Sequence, residues 1–151
     1  MRIEDEIKGR FRNEYHKGLI NLKYTTRQLS YEFNKSLKEH GLAEPQYNVL
    51  RILRGFSYEA PLSIGFIKER MLDKDSDVSR IIDRLFEKGL VSRIENPNDR
   101  RQKSIEITEK GLDLLDKMLK CELEVDTLLN NLTQTEVEDM NRLLDKIRLK
   151  E

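Results

Sequence analysis

Asp77-Val78-Ser79-Arg80-Ile81-Ile82-Asp83-Arg84-Leu85-Phe86-Glu87-Lys88-Gly89-Leu90-Val91 is the stretch that decides the fold. Val78, Ile81, Ile82, Leu85 and Phe86 fall at i, i+3, i+4, i+7 and i+8, one stripe of a helix spanning about 75–88. Ser76, Asp77, Ser79, Arg80, Asp83, Arg84 and Glu87 are left for its other face. Gly89 supplies a stop, because glycine takes left-handed backbone without steric cost. Directly after it the period changes from 3.6 to 2. Leu90, Ser92 and Ile94 alternate with Val91, Arg93 and Glu95, and Ser104 to Ile107 alternate again, which predicts a β-hairpin. Its tip, Asn96-Pro97-Asn98-Asp99-Arg100-Arg101-Gln102, is too long for a two-residue turn and is expected as a projecting mobile loop.

Working outward, Ser63 can cap a short helix to about Met71, with Ile64, Ile67 and Met71 on one face, before the polar turn Asp73 to Ser76. Pro45 is suited to open a helix to about Arg54. Upstream, Tyr15, Leu19, Leu22, Leu29, Phe33 and Leu37 form the seam of one long helix from about Phe11 to His40, closed by Gly41. Downstream, Thr108 can cap a fifth helix bearing Leu112, Leu115, Leu119, Val125 and Leu129. Thr133-Gln134-Thr135-Glu136 reads as a capping box, with Leu132 stapling Val137, and starts a last helix striped by Val137, Met140, Leu144 and Ile147.

The chain has 151 residues, the length of one ordinary domain, and is 37% hydrophobic and 37% charged. So lean a composition suits long helices whose apolar stripes meet a partner chain. Lys+Arg and Asp+Glu are equal at 28 each, so any nucleic-acid partner must be met by a local patch. Residues 8–40 carry eight Lys/Arg against three Asp/Glu, and 104–151 carry seven against twelve. The start Met1-Arg2-Ile3-Glu4-Asp5-Glu6 lacks a signal peptide's apolar core and no segment approaches a membrane span, so a cytoplasmic protein without membrane contact is expected. One cysteine, Cys121, permits no internal disulfide, and two histidines, His16 and His40, leave little material for a zinc site. With no phosphate loop, nucleophile elbow or His-Glu-x-x-His, no enzyme, metal or cofactor is expected.

Two short helices, a polar turn between them and a hairpin with a basic tip have the layout of a winged helix-turn-helix. The fold expected is mainly α with a small β-hairpin, the winged-helix lobe at 45–107 being flanked by dimerisation helices at 8–40 and 108–151. The second short helix has the size to lie in a major groove, where base edges are distinguishable, and Arg100 and Arg101 at the tip suit an adjacent minor groove. Taken alone, the helix's polar face suits ordinary solvation, with Arg84 pairing Asp83 or Glu87. The conjunction of helix pattern, Gly stop, period switch and Arg-Arg tip favours DNA binding.

These residues, with Ile105-Glu106-Ile107-Thr108-Glu109-Lys110-Gly111 and Gly41-Leu42-Ala43-Glu44-Pro45-Gln46, resemble the multiple antibiotic resistance regulator (MarR) family of bacterial transcription factors. The specific motifs cover the middle third of the chain, and Ala43 departs from the family's frequent Thr. The resemblance implies a homodimer with interlocked N- and C-terminal helices, presenting two winged helices to double-stranded DNA at a near-palindromic operator. It places Ser76, Ser79, Arg80 and Arg84 at DNA contacts of the recognition helix. It makes Arg101 the minor-groove arginine oriented by Asp99, with Arg100 and Lys103 as phosphate contacts. Asp77 has three readings: a helix cap, an acceptor from a cytosine amine, or a discriminator against other sequences.

Many members of that family are released from DNA by small aromatic acids or phenols. Tyr24, Tyr31, Tyr47, Phe56, Tyr58 and Phe66 are candidates to line such an effector's cleft, and equally suit core packing of the first three helices. Cys121 lies near Glu122 and Glu124, whose charge disfavours a thiolate, so it reads as a structural thiol; His16 and His40 read as surface residues. The function expected is a sequence-specific dimeric repressor released by a small ligand. The rival is a winged-helix module that binds protein without DNA.

Overall fold

The computed structural model describes residues 1–96 and 98–150, and for Asn96 and Arg100 the backbone alone. Two compact units are present, Met1–Glu44 and Pro45–Glu151. In the first, a short helix α1 (Ile3–Ile7) precedes the long helix α2 (Glu14–Lys38). Asn13 opens α2, its side chain accepting the His16 backbone N–H at 2.9 Å, so the helix starts three residues later than its seam suggests. No periodicity or cap marks α1 in the sequence. Polar side chains hold it: Glu4 pairs with Lys17, and the Tyr24 hydroxyl donates to Glu6 Oε2 at 2.9 Å. The Lys17 contact keeps the Glu4 carboxyl below its ordinary range. Gly41 takes φ +69°, the left-handed backbone that ends the segment.

The second unit is built from α3 (Glu44–Gly55), β1 (Leu62–Ser63), α4 (Ile64–Arg70), α5 (Val78–Glu87), β2 (Val91–Asn96), β3 (Asp99–Ile107), α6 (Glu109–Lys117), α7 (Leu119–Asp126) and α8 (Gln134–Arg148). Its core gathers one face of each lobe element: Val49, Leu50 and Leu53 from α3, Ile67 from α4, Val78, Ile82 and Leu85 from α5, and Val91 and Ile105 from the sheet. Caps set the boundaries. Ser63 Oγ accepts the Phe66 N–H at 3.1 Å, Asp77 Oδ1 accepts the Arg80 N–H at 3.2 Å, and Thr133 with Glu136 closes the capping box of α8.

The sheet is antiparallel in the order β1-β3-β2, so β3 is central and the two-residue β1, absent from the sequence reading, covers its far edge. Register runs Val91↔Ile107, Arg93↔Ile105 and Glu95↔Lys103, and then shifts to Asn96↔Asp99. Between those last two pairs β3 advances four residues while β2 advances one, a bulge holding Arg100, Arg101 and Gln102. The long loop expected at 96–102 is therefore corrected: strand β3 already begins at Asp99. Asp99 Oδ1 accepts the Arg101 N–H at 2.9 Å, giving the bulged backbone a local partner and letting pairing resume beyond it. Pro97, also part of that expectation, lies outside the described residues.

The base of the hairpin is fastened to both neighbouring helices. Thr108 donates its hydroxyl to the Gly89 carbonyl at 2.7 Å and accepts the Gly111 N–H at 3.1 Å, while its own N–H bonds the Leu90 carbonyl at 3.1 Å. Lys110 Nζ donates to the Lys88 carbonyl at 2.8 Å, at the negative end of α5. A Cβ at Gly111 would collide with the Leu90 carbonyl and lie 2.7 Å from Ile107 Cγ1, so only glycine lets α6 approach the wing this closely. The single fifth helix expected from Thr108 is instead α6 and α7, parted at buried Met118, whose N–H is shared between the Leu114 and Leu115 carbonyls at 3.1 Å each.

Candidate nucleic-acid interface

Helix α5 separates its faces cleanly. Val78, Ile82 and Leu85 are buried, while Ser79, Arg80, Asp83 and Arg84 are exposed. Four of the expected contacts thus divide by position. Ser79, Arg80 and Arg84 project from the helix, whereas Ser76 sits in the turn before it with its Oγ buried and without a hydrogen-bond partner. Asp77, given three readings above, spends one carboxylate oxygen on capping α5. On the wing, Asp99, Arg101 and Lys103 are exposed. The aspartate meets the backbone N–H of Arg101, so it shapes the bulge from which that arginine leaves. The side chain of Arg100 lies outside the described residues.

Phe86 departs from its expected place in the apolar stripe: it is 47% exposed. Arg93 covers one of its faces, with the guanidinium carbon 4.1 Å from the ring centroid, and Arg93 Nη1 lies 3.0 Å from Asp83 Oδ1. Asp83 therefore pairs with the wing strand and not with its helix neighbour Arg84. Arg93 is the residue the sequence reading passed over. Its signal was the strand period, which puts it on the same side of β2 as buried Val91 and opposite fully buried Ile105, an inward position for a cation.

The six aromatic candidates occupy different surroundings. Tyr24 and Tyr31 belong to residues 1–44; Tyr24 is half-buried and bonded to Glu6, and Tyr31 is exposed. Tyr47 is buried, and its hydroxyl donates to Glu122 Oε1 at 2.6 Å; Arg54 Nη2 donates to the same oxygen at 3.2 Å. Burial first, and the Glu122 carboxylate second, hold the Tyr47 phenol well above its ordinary pKa. Phe56 and Phe66 meet edge to face at 5.2 Å, with exposed Tyr58 6.0 Å from Phe56. Arg70 lies over both phenylalanine rings, 3.4 Å from Phe66 and 5.0 Å from Phe56. Cys121 is half-buried on α7, and His16 accepts the Arg12 N–H at 3.3 Å within α2's first turn. Among the described residues no group of three His, Cys, Asp or Glu side chains could hold a metal ion, and no helix is long and apolar enough to cross a membrane.

A short helix, a turn, a second helix with a polar outer face and a three-stranded wing define the winged helix-turn-helix class of DNA-binding regulators. The MarR family model matches residues 42–103, and members of that family are transcriptional regulators and not enzymes. It is 29% identical over 131 residues to the HTH-type transcriptional regulator MhqR of Bacillus subtilis, spanning 86% of this chain and 88% of that one. It is 31% identical over 112 residues to the HTH-type transcriptional repressor IacR of Pseudomonas putida, spanning 74% and 65%. Among solved structures, a mutant form of Escherichia coli MarR complexed with operator DNA superposes with a TM-score of 0.78 at 24% identity, over 93% of this chain and 100% of that one. Bordetella bronchiseptica BpsR, solved in a description of how 6-hydroxynicotinic acid regulates its DNA binding, gives 0.73 at 21% identity, over 83% and 94%.

Proposed function

We propose that this chain is a homodimeric repressor that reads a near-palindromic operator and is released from it by a small aromatic acid. The observation that carries the reading is the division of α5: an apolar face, Val78, Ile82 and Leu85, locked into the core, and Ser79, Arg80 and Arg84 exposed on the opposite side, with the cations Arg101 and Lys103 exposed on the wing. Side chains on such a helix select bases by their hydrogen-bonding edges, while cations on the wing add groove and phosphate affinity. Dimerisation is supported by exposed apolar side chains on the terminal helices, Tyr15 and Leu19 on α2 and Leu143 and Ile147 on α8, which a second copy would remove from water. Repression follows the name of the Pseudomonas putida relative, and control by an aromatic acid is suggested by the regulation of DNA binding described for the Bordetella bronchiseptica protein. Rings of Phe56, Tyr58 and Phe66 beside the Arg70 guanidinium offer chemistry suited to an aromatic carboxylate.

The test is selection of bound duplexes from a random-sequence library with the full-length protein, followed by sedimentation. Enrichment of an inverted repeat by a species of twice 17.9 kDa is expected, and release of that duplex by benzoic or nicotinic acids should weaken in Arg70→Ala. Arg101→Ala should lower affinity for selected and random duplexes together and flatten the salt dependence by about one unit per lost contact. Arg80→Ala should instead reduce the ratio between them, by ~1–3 kcal/mol if a bidentate base contact is lost. No enrichment, with both variants unchanged, would leave the protein-binding module as the function.

A further inference from the structure

We propose that Arg93 is a positioning residue for DNA recognition: it sets the angle between the recognition helix α5 and the wing, and it masks an acid on the helix's DNA-reading face. The inference rests on the proposed reading of α5 and the wing as one DNA interface.

The backbone of Arg93 is fixed in the middle of the hairpin, opposite Ile105 on the central strand. Its side chain leaves the sheet and ends on α5, where two contacts of different geometry hold it. The Asp83 carboxylate takes Nη1 at 3.0 Å, and the guanidinium carbon lies over the Phe86 ring, 4.1 Å from its centroid. Asp83 and Phe86 are three residues apart on the helix, so together they fix both the direction and the tilt of the guanidinium. Nε is buried with no hydrogen-bond partner. An arginine held only for its charge would turn that N–H toward water; here the ring and the carboxylate keep it turned away.

Position on the helix gives the contact its functional meaning. Ser79, Asp83 and Glu87 rise along one line at steps of four, flanked by Arg80 and Arg84. A carboxylate in that line would face the phosphates or the base edges of a duplex and repel the former. Pairing with Arg93 neutralises Asp83 and at the same time withholds the Arg93 cation from the backbone of DNA. A guanidinium is required, because its extended planar fork can meet the carboxylate and cover the ring at once, whereas a compact ammonium meets one or the other.

The experiment uses full-length protein, the duplex enriched from the random library and an unrelated duplex of equal length, with binding measured across a salt series and thermal midpoints recorded. Arg93→Ala should lower the selected-to-random affinity ratio about tenfold while random-duplex affinity changes little. Arg93→Lys should leave the thermal midpoint near that of the wild type and recover only part of the ratio. Asp83→Asn, which preserves shape, should lower the ratio yet raise random-duplex affinity and steepen the salt slope by about one unit, as the released cation meets a phosphate. A double-mutant cycle adds a readout indifferent to stability: coupling between Arg80→Ala and Arg101→Ala should be present with Arg93 and absent in the Arg93→Ala background. Equal loss of affinity for both duplexes together with a lowered thermal midpoint, or a flattened salt slope in Arg93→Ala with the ratio unchanged, would overturn the positioning role. Failure of the wild-type protein to enrich any duplex would instead overturn the DNA-binding reading and this inference with it.

Discussion

Among the described residues of 45–151, two carboxylate–guanidinium pairs join separate elements, and their surroundings differ. At one, Asp83 meets Arg93 at 3.0 Å, with the acid's side chain 58% exposed. At the other, Glu122 of α7 meets Arg54 of α3 at 3.2 Å, with the acid 20% exposed and the buried Tyr47 hydroxyl on the same oxygen at 2.6 Å. Water surrounds the first carboxylate, and an ion pair there adds at most about 1 kcal/mol to stability. Around the second, water is largely excluded, so removing the acid takes a shared, partly buried acceptor from the Tyr47 hydroxyl and the Arg54 cation. Similar distances therefore serve different ends: the Glu122 contact holds elements together, and the Arg93 contact aims one of them.

The sharpest way to break this comparison is Glu122→Ala. It should destabilise the protein by ~2–3 kcal/mol in urea unfolding, reduced from the fully buried case by the exposure of Arg54. If Arg93→Ala cost more, the assignment of the two roles would be reversed.

Tyr47→Phe removes one hydrogen bond while leaving Arg54 on Glu122, and about 1 kcal/mol of stability should go with it. The same residue marks the alkaline limit of the fold. Its phenol titrates above the ordinary value of 10.0 when folded, so the hydroxyl's contribution is intact below that value and is lost as pH rises through the higher folded one. Absorbance of tyrosinate should show a late ionisation step above the ordinary tyrosine range, and Tyr47→Phe should abolish it.

Arg93→Ala should lower unfolding stability by no more than about 1 kcal/mol, although its effect on operator discrimination is larger. Smallest is the effect at Glu136, a carboxylate wholly in water. Backbone and hydroxyl hydrogen bonds from Thr133 hold it below its usual range, so the capping box is present above that range and is lost only as pH falls through the lowered value. Circular dichroism should show α8 fraying in acid in the wild type, whereas a Glu136→Ser variant should be slightly less helical at neutral pH and lack that acid step.

Local features of this chain were legible in its sequence. The stripe Val78, Ile82, Leu85, the stop at Gly89, the cap at Ser63 and the Thr133–Glu136 box each involve residues within a few positions of one another, where periodicity and capping chemistry act directly. The bulge at 100–102 was not legible, because it depends on which strand residues pair, and a run of polar side chains fits a loop equally well. Nor were the two joints. Tyr47 and Glu122 lie 75 residues apart, and Arg54 and Glu122 lie 68 apart, distances at which no spacing rule operates. Arg93 was passed over, although the strand period could have marked its inward register; its partner Asp83 looked like a neighbour for Arg84. Of the proposed DNA contacts, those on the helix face followed from its period. Withdrawal of Ser76 Oγ into the turn and use of Asp77 as a cap are consequences of the packed structure.

The fastening at the hairpin base bears on how such a protein can acquire a new operator. Thr108, Gly89, Leu90 and Gly111 close the wing where it leaves and rejoins the helices, so the strands are brought together independently of what lies at their far end. Lengthening a chain segment whose ends are already fixed costs little, ~0.6 kcal/mol for each doubling of its length. The far end of the wing is therefore open to insertion, deletion and recharging over evolutionary time, while the base admits almost no change, Gly111 least of all. A lineage can rewrite what its wing touches on DNA and inherit the rest of the fold unaltered.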